Sequence, residues 1–244
     1  MTIDLNCDLG EGAGHDAAIM PLVTSANIAC GVHAGSRETM AATAALAIRH
    51  GVAVGAHPGH ADRDHFGRRE LALGPAATVE LVLDQIAALA SVAGPALHHV
   101  KLHGGLYHEV SRDRELAAAM AAALQESWPD LVVYALAGSV LATTSRTAGL
   151  RVAEEAFIDR AYAPDGTLVP RSHPGATITD PTVAAARAVQ LATTGRVAAI
   201  DGTLIAVRAD TLCIHGDGSD PLGLARAARE ALVAAGIAPA APRA

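Results

Sequence analysis

Short runs of β-branched and aliphatic residues alternate with longer alanine-rich runs along the whole chain, and this alternation restricts the fold more than any other feature. Strands are expected at Ile3–Asp8, Ser25–Ala29, Val52–His57, His99–His103, Leu131–Leu136, Val152–Phe157 and Thr211–His215, with a further short one at Thr203–Val207. Helices are expected at Ser36–His50, Pro75–Ala93, Ser111–Ser127, Ser139–Thr147, Pro181–Thr194 and Pro221–Ala235. Ser36, Ser111, Asp180-Pro181 and Asp220-Pro221 read as helix starts, because a short polar side chain satisfies the free amides there and proline needs none. Gly51 and Gly195 read as stops. Alternation of this kind implies parallel strands joined by crossover helices. About seven such units in a single α/β domain spanning residues 1–244 predict a closed or nearly closed (β/α) barrel, with an open doubly wound sheet as the alternative. The tail from Ala238 to Pro242 reads as a loose end.

Strand side chains alternate between faces, so composition can be read face by face. Asp4, Asn6 and Asp8 share one face of the first run; His99, Lys101 and His103 share one face of the fourth. Cys213, His215 and Asp217 alternate at the last run, Glu155, Phe157 and Asp159 end the sixth, and His57 ends the third. A parallel strand covered on both faces should be nearly all apolar. Unpaired buried charges cost several kcal/mol in order of magnitude, so groups like these are tolerated where they meet one another or a ligand. In α/β barrels that place is the C-terminal rim of the strands. Asp8, His57, Lys101, His103, Asp159 and His215 are therefore expected at one mouth. His15, His50 and His108 read as exterior, and His98 as facing the helices or the strand entrance.

Rare residues reinforce this reading. Alanine fills 56 positions, 17 of the 18 basic residues are arginine, and Lys101 is the only lysine. Asparagine occurs only at Asn6 and Asn27, phenylalanine only at Phe66 and Phe157. A lone lysine among arginines marks a site where a compact, tunable charge serves and a planar fork does not. The net charge of −7 argues against nucleic acid and anionic membrane as partners. The most apolar helix carries Glu80 and Asp84, so no membrane span is expected. The three cysteines show no close pairing and the first residues no signal peptide, which suggests a reducing, cytoplasmic setting.

Several chemistries are disfavoured. Gly10, Gly12 and Gly14 lack dinucleotide-fingerprint spacing, and the only lysine lacks a P-loop. No Gly-x-Ser-x-Gly elbow is present, and Cys7, Cys30 and Cys213 read as small buried hydrophobes. A divalent ion held by Asp8 with His33 or His57 stays open. The arginine-rich loop Arg63–Arg69 reads as a docking element, a lid or a solvated loop.

Seven segments, in order, carry a resemblance: Ile3–Gly12, Ser25–Gly35, Gly55–Pro58, Phe66–Arg69, Lys101–Tyr107, Glu155–Tyr162 and Cys213–Asp217. Together they resemble the LamB/YcsF family. The chain departs from the family pattern at Leu102, Gly105 and Ser36. The resemblance implies a seven-stranded barrel similar to polysaccharide deacetylase and glycoside hydrolase barrels. It further implies ATP-dependent opening of 5-oxo-L-proline to L-glutamate with two partner subunits, B and C. On that reading Asp8, Lys101, His103, Asp159 and His215 are catalytic candidates. Asn6, Glu11, Asn27, His33, His57, Arg160 and Asp217 are candidates for binding substrate or phosphate. Lys101 and Arg160 would neutralise phosphate or carboxylate, and Asp8, Asp159 and Asp217 would hold Mg²⁺ or orient imidazoles. The alternatives are a stand-alone metal-dependent amide or sugar deacetylase and a non-catalytic lactam-binding subunit.

Overall fold

Alanine decides how closely the helices approach the strands. In the computed structural model, which describes residues 1–243, the helices bury small faces: Ala44 and Ala47, Ala117 and Ala121, Ala184 and Ala188, Ala225 and Ala228. The elements in chain order are β1 (Thr2–Leu9), α1 (Asp16–Ile19), β2 (Ser25–Ala29), α2 (Arg37–His50), β3 (Ala53–His57), α3 (Pro75–Ala93), β4 (Leu97–Lys101), α4 (Gly104–Arg112), α5 (Arg114–Ser127), β5 (Val132–Leu136), α6 (Val140–Thr147), β6 (Arg151–Phe157), α7 (Pro181–Thr194), β7 (Arg196–Ala198), β8 (Leu204–Ala206), β9 (Thr211–His215), α8 (Pro221–Ala234) and β10 (Ala238–Pro239).

Strands β1 to β6 pair in sequence order, β6 pairs with β9, and β9 returns to β1, all in parallel. This is a closed seven-stranded barrel, not an open sheet. Residues such as Leu5, Ile28, Val100 and Ile214 face outward against the helices and belong to the main apolar core. The lumen is different: Val132, Tyr134 and Ala153 form a small separate apolar cluster inside a largely polar interior.

Four differences from the expected elements have local causes. The helix expected from Ser111 is two helices, because Asp113 is extended and its carboxylate caps α5 by accepting from the Glu115 and Leu116 amides; Ser111 lies buried in α4. Strand β4 ends at Lys101, and His103 stands at the start of α4. The short run near Thr203–Val207 pairs antiparallel with β7 outside the barrel. The tail is not loose: Ala238 and Pro239 extend β1 in parallel at its entrance, and His98 donates to the Pro242 carbonyl at 2.9 Å. The stretch Pro75–Ala96 is long and apolar enough to cross a membrane by length and composition, yet Val82, Ile86 and Leu89 are buried in the main core.

Candidate active site at the barrel mouth

The register stacks the inward residues in layers. Asp4 lies beside Thr211, Asn6 beside Ser25 and Cys213, and Asp8 beside Asn27 and His215. In the lowest layer the Asp4 carboxylate accepts from Thr24, Ser25 and Thr211 at 2.6–2.8 Å. Above it, Asn6 donates to Glu155 Oε1 at 3.0 Å and to Thr211 at 2.7 Å. Asn27 donates to Asn6 Oδ1 and Asp8 Oδ1 and accepts from His99 Nε2 at 2.9 Å. His99 fits because Gly55 lies opposite: a Cβ there would fall 2.0 Å from its Nε2. The two asparagines thus use both ends of their amides to join strands, which neither a carboxylate nor an amine can do.

Lys101 crowns this network. Its Nζ donates to Asp8 Oδ1 at 2.6 Å and Cys213 Sγ at 3.0 Å, and stands 3.3 Å from Glu155 Oε1. Burial disfavours the ammonium, but the Asp8, Cys213 and Glu155 acceptors hold its pKa well above the ordinary value. Burial also works against the Asp8 carboxylate, and His57 and Lys101 outweigh it, taking the carboxyl well below its usual range. Two of its donors are thus spent on Asp8 and Cys213 and its charge lies beside Glu155, which favours a role in holding Asp8 in place.

Two histidine systems face the mouth. His215 donates Nδ1–H to Asp159 Oδ2 at 2.9 Å, and its amide donates to the same oxygen at 2.8 Å. Burial is again outweighed, here by His215, and Asp159 sits below its ordinary pKa. On the other side, His57 and His103 contact each other at 2.9 Å, and His33 stacks on His103 at a centroid distance of 3.9 Å. Glu11 Oε1 lies 3.4 Å from His33 Nε2. Burial first and the Asp8 charge second push the Glu11 carboxyl up.

These groups border one cavity of about 800 Å³, lined among others by Asp8, His57, Lys101, His103, Arg160 and His215. Asn6 and Asn27 lie below it in the lumen, and Glu11 and His33 lie against its histidine wall. Two residues differ from expectation. Arg160 donates through Nη2 to the Val169 carbonyl at 2.7 Å and through Nε to the Ala176 carbonyl at 3.4 Å, so it pins the loop after β6; burial, then Arg171, pushes its pKa down to about 10. Asp217 pairs with Arg68 across the mouth. The loop Arg63–Arg69 is a built cover: Arg63 donates to the Gly31 and Gly35 carbonyls, Arg69 pairs with Asp62, and Phe66 lies edge-on to His33 and His103.

The LamB/YcsF family model matches residues 3–244. The chain belongs to the LamB/YcsF family. A protein from Heliobacterium modesticaldum, named as the A subunit of 5-oxoprolinase, is 50% identical over 98% of this chain and 97% of its own length. One of the same name from Thermus thermophilus is 52% identical over 97% of this chain and 98% of its own. The crystal structure of a lactam utilization protein, also from Thermus thermophilus, superposes with a TM-score of 0.92 at 50% identity, covering 99% of this chain and 100% of that one.

For this LamB/YcsF chain, sequence reasoning passed over four groups. Glu155 is the acidic hub of the lumen, joined to Asn6, Lys101 and the Tyr107 hydroxyl, which donates to it at 2.8 Å. His60 and Glu109 form a buried pair at 2.5 Å that braces the cover loop, because Glu109 also accepts from the Ala72 amide. His108, read as exterior, lines the cavity, and burial pushes its pKa down to about 4. Glu155 carried a signal, by its phase in the strand, and Glu109 a weaker one, an acid between Leu106 and Val110 on the buried face of α4; His60 and His108 carried none.

Proposed function

We propose that this chain is the A subunit of an ATP-dependent 5-oxoprolinase, which with partner subunits B and C opens 5-oxo-L-proline to L-glutamate in the cytoplasm. The carrying observation is about 50% identity over nearly the full length to proteins named as the A subunit of 5-oxoprolinase. The site's chemistry supports it. The lactam is an amide whose cleavage needs a positioned base, an acid for the ring nitrogen and charged groups near the carboxylate and carbonyl.

The His215–Asp159 pair supplies the base. Asp159 fixes the Nδ1–H tautomer, which leaves Nε2 free to take a proton from water attacking C5. The proton goes to the ring nitrogen as the C5–N bond of the phosphorylated lactam breaks, which leaves the acyl phosphate of the opened chain; a second water cleaves that phosphate, so ATP and two waters give glutamate, ADP and inorganic phosphate. The Asp8 carboxylate, held charged by Lys101, favours the imidazolium formed on the way.

ATP is the co-substrate, and transfer of its terminal phosphoryl group to the lactam oxygen makes C5 electrophilic. Arg68, Arg112 and Arg160, which line the cavity, already pair with Asp217, Glu70 and loop carbonyls, and among the described residues only Arg171 of the lining arginines is not so engaged. This favours ATP being held mainly by the partner subunits. The expected Mg²⁺ cradle does not fit: Asp8, Asp159 and Asp217 are each engaged by a different partner, Lys101, His215 and Arg68, whereas Mg²⁺ needs converging oxygens.

The test is reconstitution. ATP consumption and glutamate formation are measured with this chain, with subunits B and C, and with all three. Glutamate that requires all three and ATP supports the proposal. Amide cleavage by this chain alone without ATP overturns it in favour of a stand-alone amidohydrolase.

A further inference from the structure

Under the cover loop, four side chains bring electron-pair donor atoms together. His57 donates Nδ1–H to the Lys101 carbonyl at 2.8 Å, and His103 donates Nε2–H to the Phe66 carbonyl at 2.7 Å. These bonds occupy the outer nitrogen of each ring. The inner nitrogens, His57 Nε2 and His103 Nδ1, face each other at 2.9 Å, and Asp8 Oδ2 lies 3.3 Å from His57 Nε2. Glu11 Oε1 lies 3.5 Å from His103 Nδ1, 3.9 Å from His57 Nε2 and 3.4 Å from His33 Nε2. All four donor atoms fall within 4.8 Å of one another. Two fillers relieve such a cluster, a proton or a cation. One proton bridges only two of these atoms, whereas a cation is shared by all four.

We infer that Glu11, His33, His57 and His103 form a site for one divalent first-row transition-metal ion of the Zn²⁺ type. Three imidazoles and one carboxylate are a nitrogen-rich set that such ions take. Metal–ligand bonds of about 2.0–2.2 Å in a tetrahedron put ligand atoms about 3.3–3.6 Å apart; four of the six separations here, at 2.9–3.9 Å, bracket that value, and all six lie within 4.8 Å. The outer nitrogens of His57 and His103 are held by backbone carbonyls, the arrangement that orients metal-binding imidazoles. Two glycines make room: a Cβ on Gly59 would fall 2.6 Å from His33 Nδ1, and one on Gly67 would fall 2.8 Å from His33 Cβ. The other convergent set, Asp8, Cys213 and His215, already holds the Lys101 ammonium, which repels a second cation. Since His57 and His103 line the cavity, the ion would face the substrate chamber as a Lewis acid for an amide carbonyl.

The site is tested without turnover, so its failure is separate from that of the 5-oxoprolinase reading. The full chain is stripped with chelator and titrated with Zn²⁺ against a chromophoric competitor, and separately with Co²⁺. Expected are one equivalent of either ion, a Co²⁺ visible spectrum without thiolate charge transfer, and affinity at least tenfold weaker in His33→Ala and Glu11→Gln. Absence of stoichiometric binding by the folded wild-type chain overturns the inference. So does a thiolate charge-transfer band, which places the ion at Cys213. If the variants do not fold, the wild-type stoichiometry and Co²⁺ spectrum decide alone.

Discussion

Lys101 Nζ and Asp8 Oδ1 lie 2.6 Å apart inside the barrel, one from β4 and one from β1, with both side chains at most 3% exposed. Charge that deep is stable only while it is paired. Replacing Lys101 with Met leaves Asp8 and Glu155 facing each other's field without a cation. Loss of about 3–5 kcal/mol in denaturant unfolding is expected, together with loss of lactam cleavage in the reconstituted complex. A variant that unfolds like the wild type would remove the ammonium from its central place.

Asp159→Asn tests the base. The amide cannot hold the His215 Nδ1–H tautomer as the carboxylate does. We expect kcat for glutamate formation to fall by about 10²–10⁴-fold, with KM for 5-oxoproline changed far less. Loss of binding with kcat retained would make Asp159 a substrate ligand instead.

Gly55→Ala is a packing test within the lumen, one hydrogen bond removed from Asn27. The added methyl would fall 2.0 Å from His99 Nε2, so the ring must move and release Asn27. A cost of about 1–3 kcal/mol is expected, read as a lowered midpoint in thermal or urea unfolding. An unchanged midpoint would show that the lumen has slack there.

His108 predicts a slope in stability with pH. Burial, the largest cause, lowers its pKa from 6.5 to about 4 in the fold. The unfolded chain therefore binds a proton first as pH falls. The stabilising effect of keeping His108 neutral is complete above about pH 6.5 and is lost progressively toward pH 4. His108→Gln should flatten the unfolding free energy across that window by up to ~1 kcal/mol per pH unit. Parallel curves for variant and wild type would contradict the assignment.

Arg68→Ala tests the latch over the mouth. Its pairing with Asp217 is partly exposed, so stability should change by less than about 1 kcal/mol. The expected effect is on KM for 5-oxoproline, because Arg68 lines the cavity and stacks over Phe66 at 4.9 Å. A large drop in melting temperature with unchanged KM would make the contact structural.

Which face of a strand a residue occupies is a local property, and the sequence determined it. A period of two places Asp4, Asn6 and Asp8 together wherever the strand ends up, and their polarity in a strand covered on both sides already implied a shared interior. Alternation and alanine content likewise set the barrel class and the closeness of its helices. Tertiary structure alone decided the rest, because distances between strands depend on closure and register. Nothing local puts Glu11 Oε1 3.5 Å from His103 Nδ1 or gathers Asp8, Cys213 and Glu155 around the Lys101 ammonium. The tail's place beside β1 and the entry of His108 into the cavity are likewise outcomes of packing. Local propensity there is weak, and contacts made far along the chain outweigh it.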